Sequence, residues 1–149
     1  MKKQIVIAAL LVTLALPARA IFELGVIGGR IDGPAEYHIG FSAGAGFFLP
    51  FLKLEVEYIR LLDTGFSDVS LGLKFRSKVG SVAPYGVAVV GARMKPLGLD
   101  LGEYDWFVAI GAGIHLYLKG FLSLRGDIRY APWEGGGRLR FGLGLFFHI

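Results

Sequence analysis

Eleven charged side chains sit at alternate positions in stretches that are otherwise apolar: Glu23, Lys53, Glu55, Glu57, Asp68, Lys74, Arg125, Asp127, Arg129, Arg138 and Arg140. In extended chain, alternate residues share a face, so each segment presents its charges on one side. Charges taken out of water are costly unless paired and hydrogen-bonded. The set therefore predicts an ion network that fills an interior and holds its strands in register. A switchable gate across a small pore is the functional version of the same arrangement. Other chemistry finds less support. His38, His115 and His148 lie on three separate segments without metal-ligand spacing. Zero Cys removes disulfides, thiolate metal sites and a cysteine nucleophile. No metal centre and no cofactor is expected. Ser42 and His38 share a face, but four residues of strand separate them by ~13 Å, beyond hydrogen-bond reach. A Ser–His pair would have to meet across two strands; His115 and Ser123 lie toward the short-turn side of theirs. The Gly-x-Gly pairs at 44/46, 111/113 and 142/144 sit inside alternating segments with no helix after them, so they are not phosphate loops. They fit better as relief of crowding in a narrow interior.

These side chains need strands to carry them. From Tyr37 to Phe47 one face reads Tyr37, Ile39, Phe41, Ala43, Ala45, Phe47, and the other His38, Gly40, Ser42, Gly44, Gly46. The same period-two pattern runs through Phe22–Val26, Leu52–Tyr58, Asp68–Phe75, Pro84–Val89, Asp105–Leu116, Leu122–Arg129 and Arg138–Ile149. In the fifth of these eight segments, Tyr85, Val87 and Val89 are assigned to the broad apolar face. Strands of about ten residues match what a tilted strand needs to cross a bilayer. An even count suits an antiparallel barrel, and closure removes the unpaired backbone groups that lipid cannot satisfy. The fold class expected is all-β: a closed eight-stranded antiparallel transmembrane barrel.

Orientation decides between two kinds of barrel. A soluble, lipocalin-like barrel keeps its apolar face inward and shows polar residues to water. Here the second face is largely Gly, Ala and Ser with the charged set among them, which suits a narrow filled lumen. The first face is broadly aliphatic and aromatic, as lipid contact requires. Aromatic residues gather near strand ends: Tyr37, Tyr58, Trp106 and Tyr130 near one rim, Phe22, Phe47, Phe75, Tyr85 and Phe147 near the other. Aromatic girdles at headgroup level account for that distribution.

The N-terminal stretch reads as an address. Lys2 and Lys3 precede an apolar run from Ile5 to Leu16, then Pro17 and Ala18-Arg19-Ala20. This is the pattern of a cleavable signal peptide over residues 1–20, too short to span a membrane as a helix. The barrel domain expected is residues 21–149. Its removal takes Lys2, Lys3 and Arg19, so Lys+Arg falls from 16 to 13 against 12 Asp+Glu. The case for nucleic-acid binding falls with it.

Three stretches carry a family resemblance: Pro84-Tyr85-Gly86-Val87, Arg125-Gly126-Asp127-Ile128-Arg129-Tyr130, and the last strand from Leu139 to Ile149. With the overall pattern they resemble small eight-stranded bacterial outer-membrane barrels of the OmpA/OmpX type. The resemblance implies outer-membrane residence among lipids and lipopolysaccharide, a monomeric state, and insertion by the barrel-assembly machinery. It further implies that Gly144, Phe147 and Ile149 form the terminal signal that this machinery reads, with Ile where Phe is usual. No peptidoglycan-binding segment is expected after the barrel. The role implied is non-catalytic, structural or surface-interacting. A lipid A acylase or deacylase on the same fold is the alternative, and a soluble periplasmic ligand-binding barrel the second. Arg93 and Lys95, at the start of the connection Met94–Glu103, are expected to meet lipopolysaccharide phosphates. Trp133, in a Gly-rich loop, is expected to dip into headgroups.

Overall fold

A computed structural model describes residues 22–33, 35–46, 49, 51–95, 104–132 and 137–149. The signal peptide expected over residues 1–20 lies outside these residues, as do Phe47, Glu103 and Trp133. Eight strands follow one another: β1 Glu23–Ile31, β2 Glu36–Gly46, β3 Leu52–Leu61, β4 Ser67–Arg76, β5 Val82–Met94, β6 Asp105–Lys119, β7 Leu122–Ala131 and β8 Arg138–His148. Each pairs antiparallel with the next, and β8 returns to β1, closing the barrel. Among the described residues no helix is long and apolar enough to cross a membrane.

The connections alternate between two rims. At the turn rim, Gly120 and Phe121 alone separate β6 from β7. In the β4–β5 connection at the same rim, Val79 and Val82 pair, and Gly80 takes a φ of 62°, a left-handed conformation that glycine reaches without Cβ strain. The β5–β6 and β7–β8 connections share the opposite, loop rim. Phe22 and Ile149 meet at the turn rim, exchanging backbone hydrogen bonds of 3.0 and 2.8 Å.

Period-two alternation is realised as outside and inside. Phe41, Val108 and Leu143 stand outward, with Leu143 75% exposed. Glu55 and Arg125 point inward and are each only 1% exposed. A soluble barrel would have these reversed. The aromatics Tyr37, Tyr58, Trp106, Tyr130 and Phe147 point outward.

Tyr85 does not. The girdle expected of it is corrected: its side chain is 5% exposed and faces the lumen, together with Val87 and Val89. β5 is apolar on both faces, so side-chain size alone does not tell inside from outside. Register does. Arg93 lies opposite Asp68, and the two form an ion pair with Nε–Oδ1 2.7 Å and Nη2–Oδ2 2.8 Å. Tyr85 is an even number of residues from Arg93, so it shares Arg93's inward face.

Candidate functional site: the charged interior

The inner face is supplied by every strand, and its large side chains find room opposite glycines. Glu55 lies between Gly44 and Gly72, and Asp127 between Gly113 and Gly142. Arg125 faces Gly144 on one side and His115 on the other. A Cβ at Gly142 would stand 2.8 Å from Asp127 Oδ1, and one at Gly44 2.7 Å from Glu23 Cγ. Glycine thus leaves room for these carboxylates, which a Cβ would force to shift, as the Gly-x-Gly spacing suggests.

Near the turn rim, Glu23 on β1 gathers three cations. Lys53 Nζ donates to its Oε2 at 2.9 Å, Lys74 Nζ to its Oε1 at 2.7 Å, and Arg76 Nη1 to its Oε2 at 3.0 Å. Lys74 also reaches Glu55 at 2.5 Å, linking this layer to the next. In the middle, Arg125 Nη1 donates to Glu55 Oε2 at 2.6 Å and its Nε to Tyr85 Oη at 2.7 Å. Tyr85 Oη donates in turn to Asp127 Oδ2 at 3.0 Å, and Arg125 also pairs with Asp127. Arg129 Nη2 bridges Glu55 and Glu57 at 2.6 and 3.1 Å. Arg140 Nη1 donates to Glu57 Oε1 at 2.5 Å. The contacts run across the lumen, from β3 to β7 and β8, so they tie opposite walls together. The Arg125 guanidinium also lies 4.9 Å from the Phe146 ring centroid and 5.4 Å from that of Tyr85, within cation–π range.

All eleven residues expected to face inward do so, although Arg138 and Arg140 are only half-buried. Others join them: Arg76, Glu36 and Phe146, which sequence reasoning passed over, and Tyr85, which it placed outside. Arg76 continues the parity of Lys74, which is the signal that identifies it. Among the described residues, eight cationic and six acidic side chains are buried or half-buried on the inner face. Arg93 is one of the eight, which corrects its expected place at the lipopolysaccharide surface: it turns inward onto Asp68. Lys95 is exposed at the loop rim.

The histidines are brought together more closely than their sequence positions imply. Ser123 Oγ lies 2.7 Å from His148 Nε2 and 3.0 Å from His115 Nδ1. His148 Nδ1 stands 3.7 Å from Glu23 Oε2. A bulge between Tyr117 and Lys119 sets this register, placing His115 opposite Arg125 and pairing Lys119, rather than Leu118, with Leu122. The order carboxylate, imidazole, hydroxyl is that of a nucleophilic triad. Ser123 and His115 are nevertheless wholly buried, leaving a substrate carbonyl no approach to the hydroxyl. His38 is separate, with both ring nitrogens buried and without a hydrogen-bond partner. Among the described residues no group of acidic, His or Cys side chains is arranged to hold a metal.

At the terminal strand, Phe147 points outward, Gly144 inward, and Ile149 is 77% exposed at the turn rim.

No family model matches the chain, and no curated protein is similar to it. Solved structures are. The N-terminal β-barrel domain of Pseudomonas aeruginosa OprF is 19% identical, with 87% of this chain and 98% of that one covered and a TM-score of 0.72. The Yersinia pestis outer membrane protein Ail is 12% identical, with 85% and 99% covered and a TM-score of 0.56. The outer membrane enzyme PagL is 13% identical, with 83% and 97% covered and a TM-score of 0.54. At these identities the likeness is one of fold. The fold is that of the small eight-stranded outer-membrane barrels, over most of the chain.

Proposed function

We propose that this chain is a small integral protein of the bacterial outer membrane, non-catalytic, with a lumen sealed by its own side chains. Its role is to support the envelope or to present a surface there. The observation that carries the reading is the inverted barrel: Phe41, Val108 and Leu143 exposed outside, Glu55 and Arg125 buried inside. Only hydrocarbon makes an exterior of that kind favourable over its whole circumference. Outer-membrane lipids are then its immediate neighbours, with lipopolysaccharide facing Lys95 at the loop rim. The barrel-assembly machinery inserts it, reading the terminal strand at Phe147 and Ile149, and it functions as a monomer. Cell fractionation followed by gel electrophoresis of unheated and boiled samples tests the reading. An outer-membrane band whose mobility shifts on boiling is expected; a soluble periplasmic band overturns it.

A second reading, a lipid-modifying enzyme, is favoured by Ser123 between two histidines with Glu23 behind one of them. The total burial of Ser123 weighs against it. Mass spectrometry of lipid A from cells with and without the protein decides it. An acyl-chain difference that Ser123→Ala abolishes establishes the enzyme; an unchanged lipid A profile removes it.

A further inference from the structure

We infer that the loop-rim half of the lumen is a binding site for a tetrahedral dianion, phosphate or sulfate, either free or as the terminal group of a larger molecule. A small cavity of about 40 Å³ lies between the loop-side ends of the strands. Arg93, Arg129, Arg138 and Arg140 line it, and Asp68 is the one carboxylate among its lining residues. Arg93 is committed to Asp68. The other three guanidiniums keep unused capacity. Arg129 is 4% exposed, yet its Nε has no hydrogen-bond partner. Arg140 Nη1 donates to Glu57, and its Nη2 stands 3.9 Å from Asp127 Oδ1, outside hydrogen-bond reach, so its Nε and Nη2 are buried without a hydrogen-bond partner. Arg138 makes no ion pair among the described residues.

A buried donor left unsatisfied is costly, and more so when it is charged. Guanidinium is the side chain best matched to phosphate and sulfate oxygens, because its fork makes two parallel hydrogen bonds. The open donors lie toward the loop end, on Arg129 and Arg140, whereas near the turn rim the cations are already bound to Glu23. A chloride ion would accept no forked pair. This site is independent of the membrane reading, since it depends on the lumen and not on what surrounds the barrel.

Isothermal titration of the folded protein in zwitterionic detergent, with sodium phosphate against sodium chloride at constant ionic strength, tests the proposal. Saturable binding of one phosphate per chain is expected. Arg138→Gln and Arg140→Gln should each weaken it about tenfold, the value of one charge-assisted hydrogen-bonded contact. Arg60→Gln, the same loss of charge on the outer face, should leave it unchanged. Absence of saturable phosphate binding overturns the proposal, and so does an equal loss in Arg60→Gln. Should Arg140→Gln fail to fold, Arg138→Gln still decides, because no ion pair is lost with it. A parallel titration with glucose 6-phosphate separates the sources: binding as tight as that of phosphate assigns the terminal group of a larger molecule, and much weaker binding assigns the free ion. The heat-induced gel shift of the same sample reports the barrel separately, so loss of phosphate binding with the shift intact rejects the site alone.

Discussion

Glu55 is the residue on which most of the interior converges. Its two oxygens accept from Arg125, Arg129 and Lys74. Removing one partner of a buried ion pair leaves the other charge uncompensated, at a cost of about 3–5 kcal/mol. Glu55→Ala should therefore lower stability by that order, measured as the shift in urea unfolding in lipid vesicles. Retention of wild-type stability together with wild-type single-channel conductance would remove the idea that the charges act as a network. Tyr85 offers a milder probe. Its hydroxyl accepts from Arg125 and donates to Asp127, so Tyr85→Phe keeps the ring and deletes both bonds. A loss of about 1–3 kcal/mol is expected in the same unfolding measurement. An outward, lipid-facing Tyr85 would tolerate Phe without loss, so this substitution also checks the corrected orientation.

At the scale of the strand, the alternation in β2, β3, β7 and β8 was legible because polar and apolar residues separate cleanly there. Lys53, Glu55 and Glu57 against Leu54, Val56 and Tyr58 admit one assignment only. β5 was not legible in that way, because Tyr85, Val87 and Val89 oppose Gly86, Ala88 and Val90, and periodicity has no contrast to work on. Arg93 at the far end of the same strand carried the missing parity. The ion set was readable as a face, but its partners were not. Contacts such as Glu55 with Arg125 pass across the barrel, and strand order predicts neighbours along the wall instead. The meeting of Ser123 with His115 and His148 was hidden for a different reason: it runs between neighbouring strands, but its register depends on a bulge at Leu118. β6 adds a test at this scale. A Cβ on Gly113 would collide with the Tyr85 ring and stand 2.6 Å from the Gly126 carbonyl oxygen. Overpacking of that kind costs about 1–3 kcal/mol. Gly113→Ala should destabilise the barrel, and pairing it with Tyr85→Phe should leave most of the loss in place, because the Gly126 backbone cannot withdraw. Full relief by Tyr85→Phe, seen in a double-mutant cycle, would place the clash at the hydroxyl alone.

For the molecule as a whole, the exterior belt and the interior ions make opposite demands on a substituted side chain. Leu143 stands near the middle of β8, 75% exposed on the outer face. Leu143→Arg should cost about 2–4 kcal/mol in a bilayer, the price of a cation at its midplane. Equilibrium unfolding in vesicles should show this loss, and equal stability of the two proteins there would contradict a lipid-facing Leu143.

The cross-lumen ion pairs also govern how the barrel can be made. Arg125 lies 70 residues from Glu55 in sequence, and Arg140 lies 83 from Glu57. No early hairpin holds both members of either pair. β3 carries Glu57, whose ion-pair partners among the described residues are Arg125, Arg129 and Arg140 of β7 and β8, so a half-built wall would carry naked charge into hydrocarbon. Insertion must wait until nearly the full length is at hand, then proceed in one concerted step with few stable halfway forms. Chains halted before β7 should accumulate at the membrane surface, protease-sensitive, instead of embedding partway.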